Sequence, residues 1–183
     1  MTDRTAYDST DMGAIPRNAQ IVMGYPYAFP TDYGIFPNAL QVKIDQHGNH
    51  ADTCHVADGE NGAITPATMR QWVASWHLLH PNGLAAVNGF FDVPTVYFNT
   101  ANSVAYRAAL VGQLYDVWQA SWGLGPTVIP GTSLHQYQNS AESGIDADVS
   151  VVYDATWGVR PAPAPLDPVL RPEVIAYINA HLG

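Results

Sequence analysis

The strongest constraint on this chain comes from residues 51–66, ADTCHVADGENGAITP, where an apolar run ends on two carboxylates spaced two apart and then breaks into Gly, Thr and Pro. Strand side chains alternate between faces, so Asp58 and Glu60 share one face, with Cβ atoms roughly 7 Å apart, if the strand runs that far. Carboxyls so placed suit acid–base chemistry. Thr65 and Pro66 read as the N-cap and first turn of a helix running through Ala67, Met69, Trp72, Val73 and Trp76. Strand, acidic loop and helix in succession are the arrangement that carries the active site in (β/α) barrels.

The rest of the chain extends this rhythm. Residues 19–25 form an apolar run read as a first strand buried on both faces, with Asp8 just before it. Residues 25–37, YPYAFPTDYGIFP, are too broken by proline for a helix and read as a loop rich in stacking surface. Further strands are predicted over 40–45, 52–57, 94–99, 115–122, 134–137 and 149–153, with helices over 65–80 and 103–114, the latter from the spacing of Val104, Ala108, Leu110, Val111 and Leu114. Residues 84–91 are apolar but match neither pattern. The prediction is one α/β domain over 1–160, a (β/α) barrel-like, TIM-type fold with a parallel sheet and some helices shortened or missing, because ~250 residues is the usual barrel length. Residues 161–183 read as a Pro-rich linker and a C-terminal packing or docking helix. The structural alternative is a flavodoxin-like open sheet, without either glycine-rich nucleotide loop.

Charge narrows the partners. The net charge is −9, Lys43 is the only lysine among seven basic residues, and no stretch forms a basic patch, which argues against nucleic acid. Cys54 stands alone, so no internal disulfide forms. No apolar run approaches the ~20 residues that span a bilayer, and the first residues lack a signal-peptide pattern. A soluble protein without membrane insertion is expected; if it acts outside a cell, it gets there by host lysis, in a virion or as part of a longer system. His47, His50, Cys54 and His55 crowd near Asp45, Asp52 and Asp58, but the spacing is poor for zinc; no metal and no cofactor are expected.

Four segments fall into an order that carries a resemblance: Tyr7-Asp8-Ser9-Thr10, then Asp58-Gly59-Glu60-Asn61-Gly62-Ala63-Ile64-Thr65-Pro66, then Trp118-Gln119-Ala120-Ser121-Trp122, then Gln136-Tyr137 with Asp148. Over roughly the first 155 residues the chain resembles the glycoside-hydrolase-like domains of actinobacteria and their phages, the DUF1906 group, related to the family 25 lysozymes. It departs from that pattern at Gly59, where the group usually has an aliphatic residue, and at Ser121, where related sequences often carry an acid. The resemblance implies a barrel with a carboxylate site acting on, or binding, bacterial cell-wall glycan such as peptidoglycan or arabinogalactan.

Glycoside hydrolysis needs one carboxyl to protonate the leaving oxygen and another carboxylate to stabilise or attack the oxocarbenium-like centre, or to activate water. Glu60 is expected as the general acid, with Asp58, Asp8 and Asp148 carrying the negative charge that faces the sugar. The competing structural reading is a solvated loop, since Asp, Gly, Glu and Asn are ordinary turn residues. Tyr25, Tyr27, Trp118, Trp122 and Tyr137, with Phe29 and Tyr33, are candidates for a stacking surface, about half of them belonging to the core, and Gln136 joins the binding set. The alternative function is non-catalytic: a virion capsid or tail component, or a wall-binding module, that keeps the fold and meets other virion proteins through the C-terminal helix.

Overall fold

In chain order the strands are β1 (Arg4–Asp8), β2 (Ile21–Gly24), β3 (Leu40–Asp45), β4 (Val56–Asp58), β5 (Leu84–Ala86), β6 (Gly89–Phe91), β7 (Thr95–Asn99), β8 (Asp116–Ala120), β9 (Leu134–Gln138) and β10 (Asp148–Val152). Strands β5 and β6 form a separate hairpin, and the other eight close in the order β1-β10-β9-β8-β7-β4-β3-β2. This computed structural model describes residues 3–60 and 62–159; the linker and helix expected over 161–183 lie outside them. Neighbours in the ring run parallel except at β10, which is antiparallel to both β1 and β9. The expected wholly parallel sheet is therefore a mixed one.

Period-two alternation sends Ala6, Ile21, Met23, Val42, Ile44, Tyr97, Trp118, Leu134 and Val152 into the closed interior, where all are buried. The first ring strand was not anticipated, because Arg4-Thr5-Ala6-Tyr7-Asp8 is short and bears a charge at each end. Asp8 consequently ends a strand rather than preceding one. The apolar run at 84–91 resolves into the hairpin, turned at Val87-Asn88, where Asn88 takes φ 60 and its amide donates to the Pro37 and Ala39 carbonyls. Asparagine tolerates that left-handed conformation better than most residues.

The helices are not arranged as in a TIM barrel. Among the described residues the α-helices are α1 (Pro66–Leu79), α2 (Ser103–Ala109) and the single turn α3 (Ser140–Ser143). The outer side of β1 and β2 is covered instead by loop residues, with Met12, Ile15, Phe36 and Ala39 packed on Val22. Prolines at 26, 30 and 37 keep the link from β2 to β3 irregular. The α1 start is as predicted, with the Thr65 hydroxyl accepting from the Thr68 N–H at 3.3 Å. Met69, Trp72, Val73 and Trp76 bury against the barrel, while Ala67 faces outward. Of the five apolar residues expected to make α2 amphipathic, only Leu110 is buried; α2 stops at Ala109, and Gly112 turns the chain away at φ 82.

The N-terminal end of the barrel is plugged. Trp157 is fully buried, donates from Nε1 to Thr95 Oγ1 at 2.8 Å and meets the Phe91 ring edge-on at 5.1 Å. Arg4 ties the plug down by donating to the carbonyls of Asp154 and Trp157. The hairpin presses close behind it, where a Cβ on Gly89 would lie 2.1 Å from the Gly158 carbonyl. Removing this plug leaves a large cavity, so Trp157→Ala should cost about 3–5 kcal/mol in urea unfolding, whereas Trp122→Ala, at a half-exposed ring, should change stability by less than ~1 kcal/mol. Similar losses from both would contradict the plug.

Candidate active site

With one end sealed, the open mouth is the C-terminal end of the parallel strands. β1 ends there on Asp8, β4 ends there on Asp58, and Glu60 follows two residues later. Because β10 runs the other way, its first residue, Asp148, arrives at the same end and pairs in register with Asp8. The four candidate carboxylates thus gather at one mouth from three strands and one turn. The strand does not continue to Glu60 as expected: the backbone turns at Asp58, whose Oδ1 accepts from the Glu60 N–H at 2.7 Å. An Asx-type turn, not strand alternation, relates the pair.

Tyrosine and glutamine side chains hold the acids. The Tyr97 hydroxyl donates to Glu60 Oε2 at 3.0 Å, the Tyr25 hydroxyl donates to Asp8 Oδ2 at 3.3 Å, and Gln136 Nε2 donates to Asp148 Oδ2 at 2.6 Å. Gly59 is required here: a Cβ would lie 2.5 Å from the Tyr106 ring, whose hydroxyl donates to the Gly59 and Ile64 carbonyls. Gly59 thus admits the clamp that fixes the acidic turn. Ser121 works through its backbone, its N–H bonding the Gln136 carbonyl and its carbonyl accepting from His135.

Burial sets the protonation. It pushes the Asp58 carboxyl up to about 7, with the Glu60 charge adding to the shift and the Glu60 N–H opposing it. Asp8 is raised well above the usual carboxylate range, first by burial and then by Asp148, Asp58 and Glu60. Asp148 is raised too, mainly by burial, against the hydrogen bonds from Ser140 and Gln136. Burial thus favours the protonated forms of Asp8 and Asp58, so Asp58 joins Glu60 as a candidate proton donor.

A cavity of about 220 Å³ opens on Asp8 and Asp148, walled by Tyr25, Phe29, Gln46 and Asp146. Across the mouth, at the ends of β7 and β8, a second depression of about 380 Å³ is lined by Asn99, Ala120, Ser121 and the half-exposed Trp122. A larger cleft, about 710 Å³, lies at the sealed end beside Arg4, Arg17 and Asn88, away from the four acids. Size alone would select it; the chemistry is at the mouth.

The other predicted residues divide. Trp118 is fully buried, packed at a tilt against Tyr97 with ring centroids 4.2 Å apart and donating to Ser150 Oγ, so its position is interior rather than ligand-facing. Tyr137 alternates to the outer face of β9, opposite Gln136, and lies edge-on to His135. Tyr27 is exposed, but one ring face is covered by His50 at 3.5 Å, and its hydroxyl hydrogen-bonds Thr53. Tyr33 donates to the Val42 carbonyl. Tyr97 was missed as a site residue, although counting back two positions from the strand-ending Asn99 puts it on the mouth-facing side.

The histidine-rich loop is spent on structure. Asp45 accepts from the backbone N–H groups of His47, Gly48 and His50 and from Trp72 Nε1. His55 is neutral, its pKa lowered to about 4 by burial, accepting from the Lys43 N–H. Among the described residues no group of three His, Cys, Asp or Glu is placed to hold a metal ion, and no helix is long and apolar enough to cross a membrane.

The fold and site thus define a mixed eight-stranded barrel with a carboxylate-lined mouth. No family model matches the chain, and no curated protein or solved structure matches it significantly.

Asp58 also leaves a signature on stability. Its folded pKa lies above the unfolded value, so the native state binds more protons between about 4 and 7, and the group favours folding below that window and opposes it above. Asp58→Asn, which keeps the acceptor for Glu60, should stabilise the protein at pH 8 by as much as ~4 kcal/mol and give little gain near pH 4. Denaturant midpoints across pH test this, and a gain independent of pH would refute it.

Proposed function

We propose that this chain is a glycoside-hydrolase-like barrel of lysozyme type that acts on a bacterial cell-wall glycan through the acids at its mouth. The observation that carries the reading is the convergence of Asp8, Asp58, Glu60 and Asp148 at the open end of a barrel whose other end is sealed. The sequence resemblance to the actinobacterial and phage glycoside-hydrolase-like domains supports it, as do the two depressions flanking the acids, which suit a chain polymer. We read the fold as a TIM-type barrel that has exchanged most of its helices for packed loops.

In this reading Asp58 is the general acid, since a carboxyl titrating near 7 still holds its proton at the working pH. Glu60, accepting from Tyr97, faces the developing positive charge or activates water. Trp122 offers a stacking face to a neighbouring sugar. Release of reducing ends from purified actinobacterial wall is the test. Asp58→Asn and Glu60→Gln should each keep glycan binding and lower turnover by ~10²-fold or more. The wild-type rate should fall above about pH 7 as Asp58 loses its proton. Trp122→Ala should raise KM more than it lowers kcat. Undiminished turnover in Asp58→Asn would remove its assigned role.

One observation favours a second reading, a virion component or wall-binding module without turnover. The cavity on Asp8 and Asp148, at about 220 Å³, is smaller than the ~300–1,000 Å³ of ordinary ligand pockets. Binding to wall glycan with no release of reducing ends by the wild type would decide for it.

A further inference from the structure

The apolar spacing over 103–114 faces the wrong way for a core. Val104 is 78% exposed, Val111 and Leu114 are each 72% exposed, and Ala108 is exposed between them. Val104, Ala108 and Val111, spaced four and three apart, form a stripe on the outer side of α2, opposite the buried Tyr106. The stripe reaches α1. Arg70 donates to the Ala109 and Val111 carbonyls, and His77 hydrogen-bonds the Leu114 carbonyl, which lays residues 109–114 along that helix. Leu78, next to His77, is 82% exposed, and Leu79 beside it is exposed as well. Single exposed aliphatic residues are ordinary, but a group gathered on two packed helices marks a contact surface.

The described chain finishes close to this surface. Val159 forms a bridge to Phe90, whose ring lies against Gly83, four residues beyond Leu79. Residues 160–170 follow, RPAPAPLDPVL, with prolines at 161, 163, 165 and 168. An extended proline-rich run covers ~3.1 Å per residue, roughly 34 Å in all, more than the ~21 Å length of α1. Beyond it Pro172 suits the first turn of a helix, and Val174, Ile175, Ile178 and Leu182 fall on one side of a 3.6-residue period, with Glu173, Ala176 and Ala180 opposite. The chain therefore carries one apolar surface and, within reach of it, one apolar helical stripe. A tether of this kind holds the stripe at an effective concentration on the order of millimolar, which favours it over a second copy in solution.

We propose that residues 171–182 dock as an amphipathic helix on the surface formed by Leu78, Val104, Val111 and Leu114 of the same chain, with Val174, Ile178 and Leu182 as the anchors. The apolar face of the segment is then spent within the chain and is closed to a second protein. Because α1 starts directly after the acidic turn, a segment held on its outer side also braces the helix next to the mouth.

Cys54 is the only cysteine and is buried, so cysteine pairs introduced at exposed positions of the full chain report contact cleanly. Ile178→Cys is combined with Leu78→Cys, Val111→Cys or Leu114→Cys, and, as a control beyond the mouth, with Leu124→Cys; disulfide formation under mild oxidation is followed by mass spectrometry. At least one of the first three pairs should close within a single chain ~10-fold faster or more than the control pair. Adding Val174→Asp and Leu182→Asp should abolish the difference. Hydrogen exchange on the protein without cysteine substitutions gives an independent reading: amides 175–182 should exchange ~10-fold or more slower than in the Val174→Asp, Leu182→Asp variant. Disulfides formed mainly between molecules would give the surface to a second copy and overturn the proposal. Equal rates for all four pairs, or amides 175–182 as unprotected in the unaltered protein as in the variant, would overturn it too.

Discussion

The geometry of the mouth depends on the direction of one strand. Closing a sheet into a barrel requires its two edges to find each other, and here β1 and β9 are bridged by β10 running against both. A parallel strand in that place would carry its first residue to the sealed end. Run backwards, β10 delivers Asp148 to the mouth and sets it directly opposite Asp8. The three ordinary hydrogen-bond partners of the acids, Tyr25, Tyr97 and Gln136, lie on strands or strand ends around the same ring. Closure is therefore what turns scattered acidic residues into a site.

The two ends of the barrel are built by opposite means. At the sealed end, Trp157, Phe91 and Arg4 fill space and satisfy nearly every polar group they bring, although Arg4 Nε is left buried and unpaired. At the open end, polar groups are packed in without enough partners, and burial raises the carboxyls that it encloses. Crowding like charges in a low-dielectric mouth costs stability, and the rigid surroundings sustain that cost. The Tyr106 clamp on Gly59 is one such support, because it fixes the turn that presents Glu60. The Asp45 cluster is another, anchoring the loop after β3 to α1 through Trp72.

Elements whose cause is local were legible in the sequence. Thr65, Pro66 and the spacing of Met69, Trp72, Val73 and Trp76 contain within a few residues everything needed to start α1 and orient it. The apolar stretches that became β2, β3, β7, β8, β9 and β10 were visible for the same reason. Legibility failed where pairing partners supply the stability. Strand β1 is held by neighbours on both sides, so its own five residues carry little pattern. The expected helical face at 103–114 failed in the other direction, since Val104, Val111 and Leu114 stay exposed around a helix of only two turns.

Beyond Asp8 and Asp148, which the family resemblance supplied, the sequence by itself determined that the chain folds as alternating strands with an acidic turn before a capped helix, and that Asp58 and Glu60 in that turn were acids to examine. These follow from periodicity and turn chemistry, which act over a few residues. Only the tertiary structure decided that the sheet is mixed, that Trp118 is interior while Trp122 is exposed, and which carboxyls are buried deeply enough to hold their protons. Each of those depends on strand direction or on the distance of a side chain from solvent, quantities fixed by contacts between residues far apart in the chain.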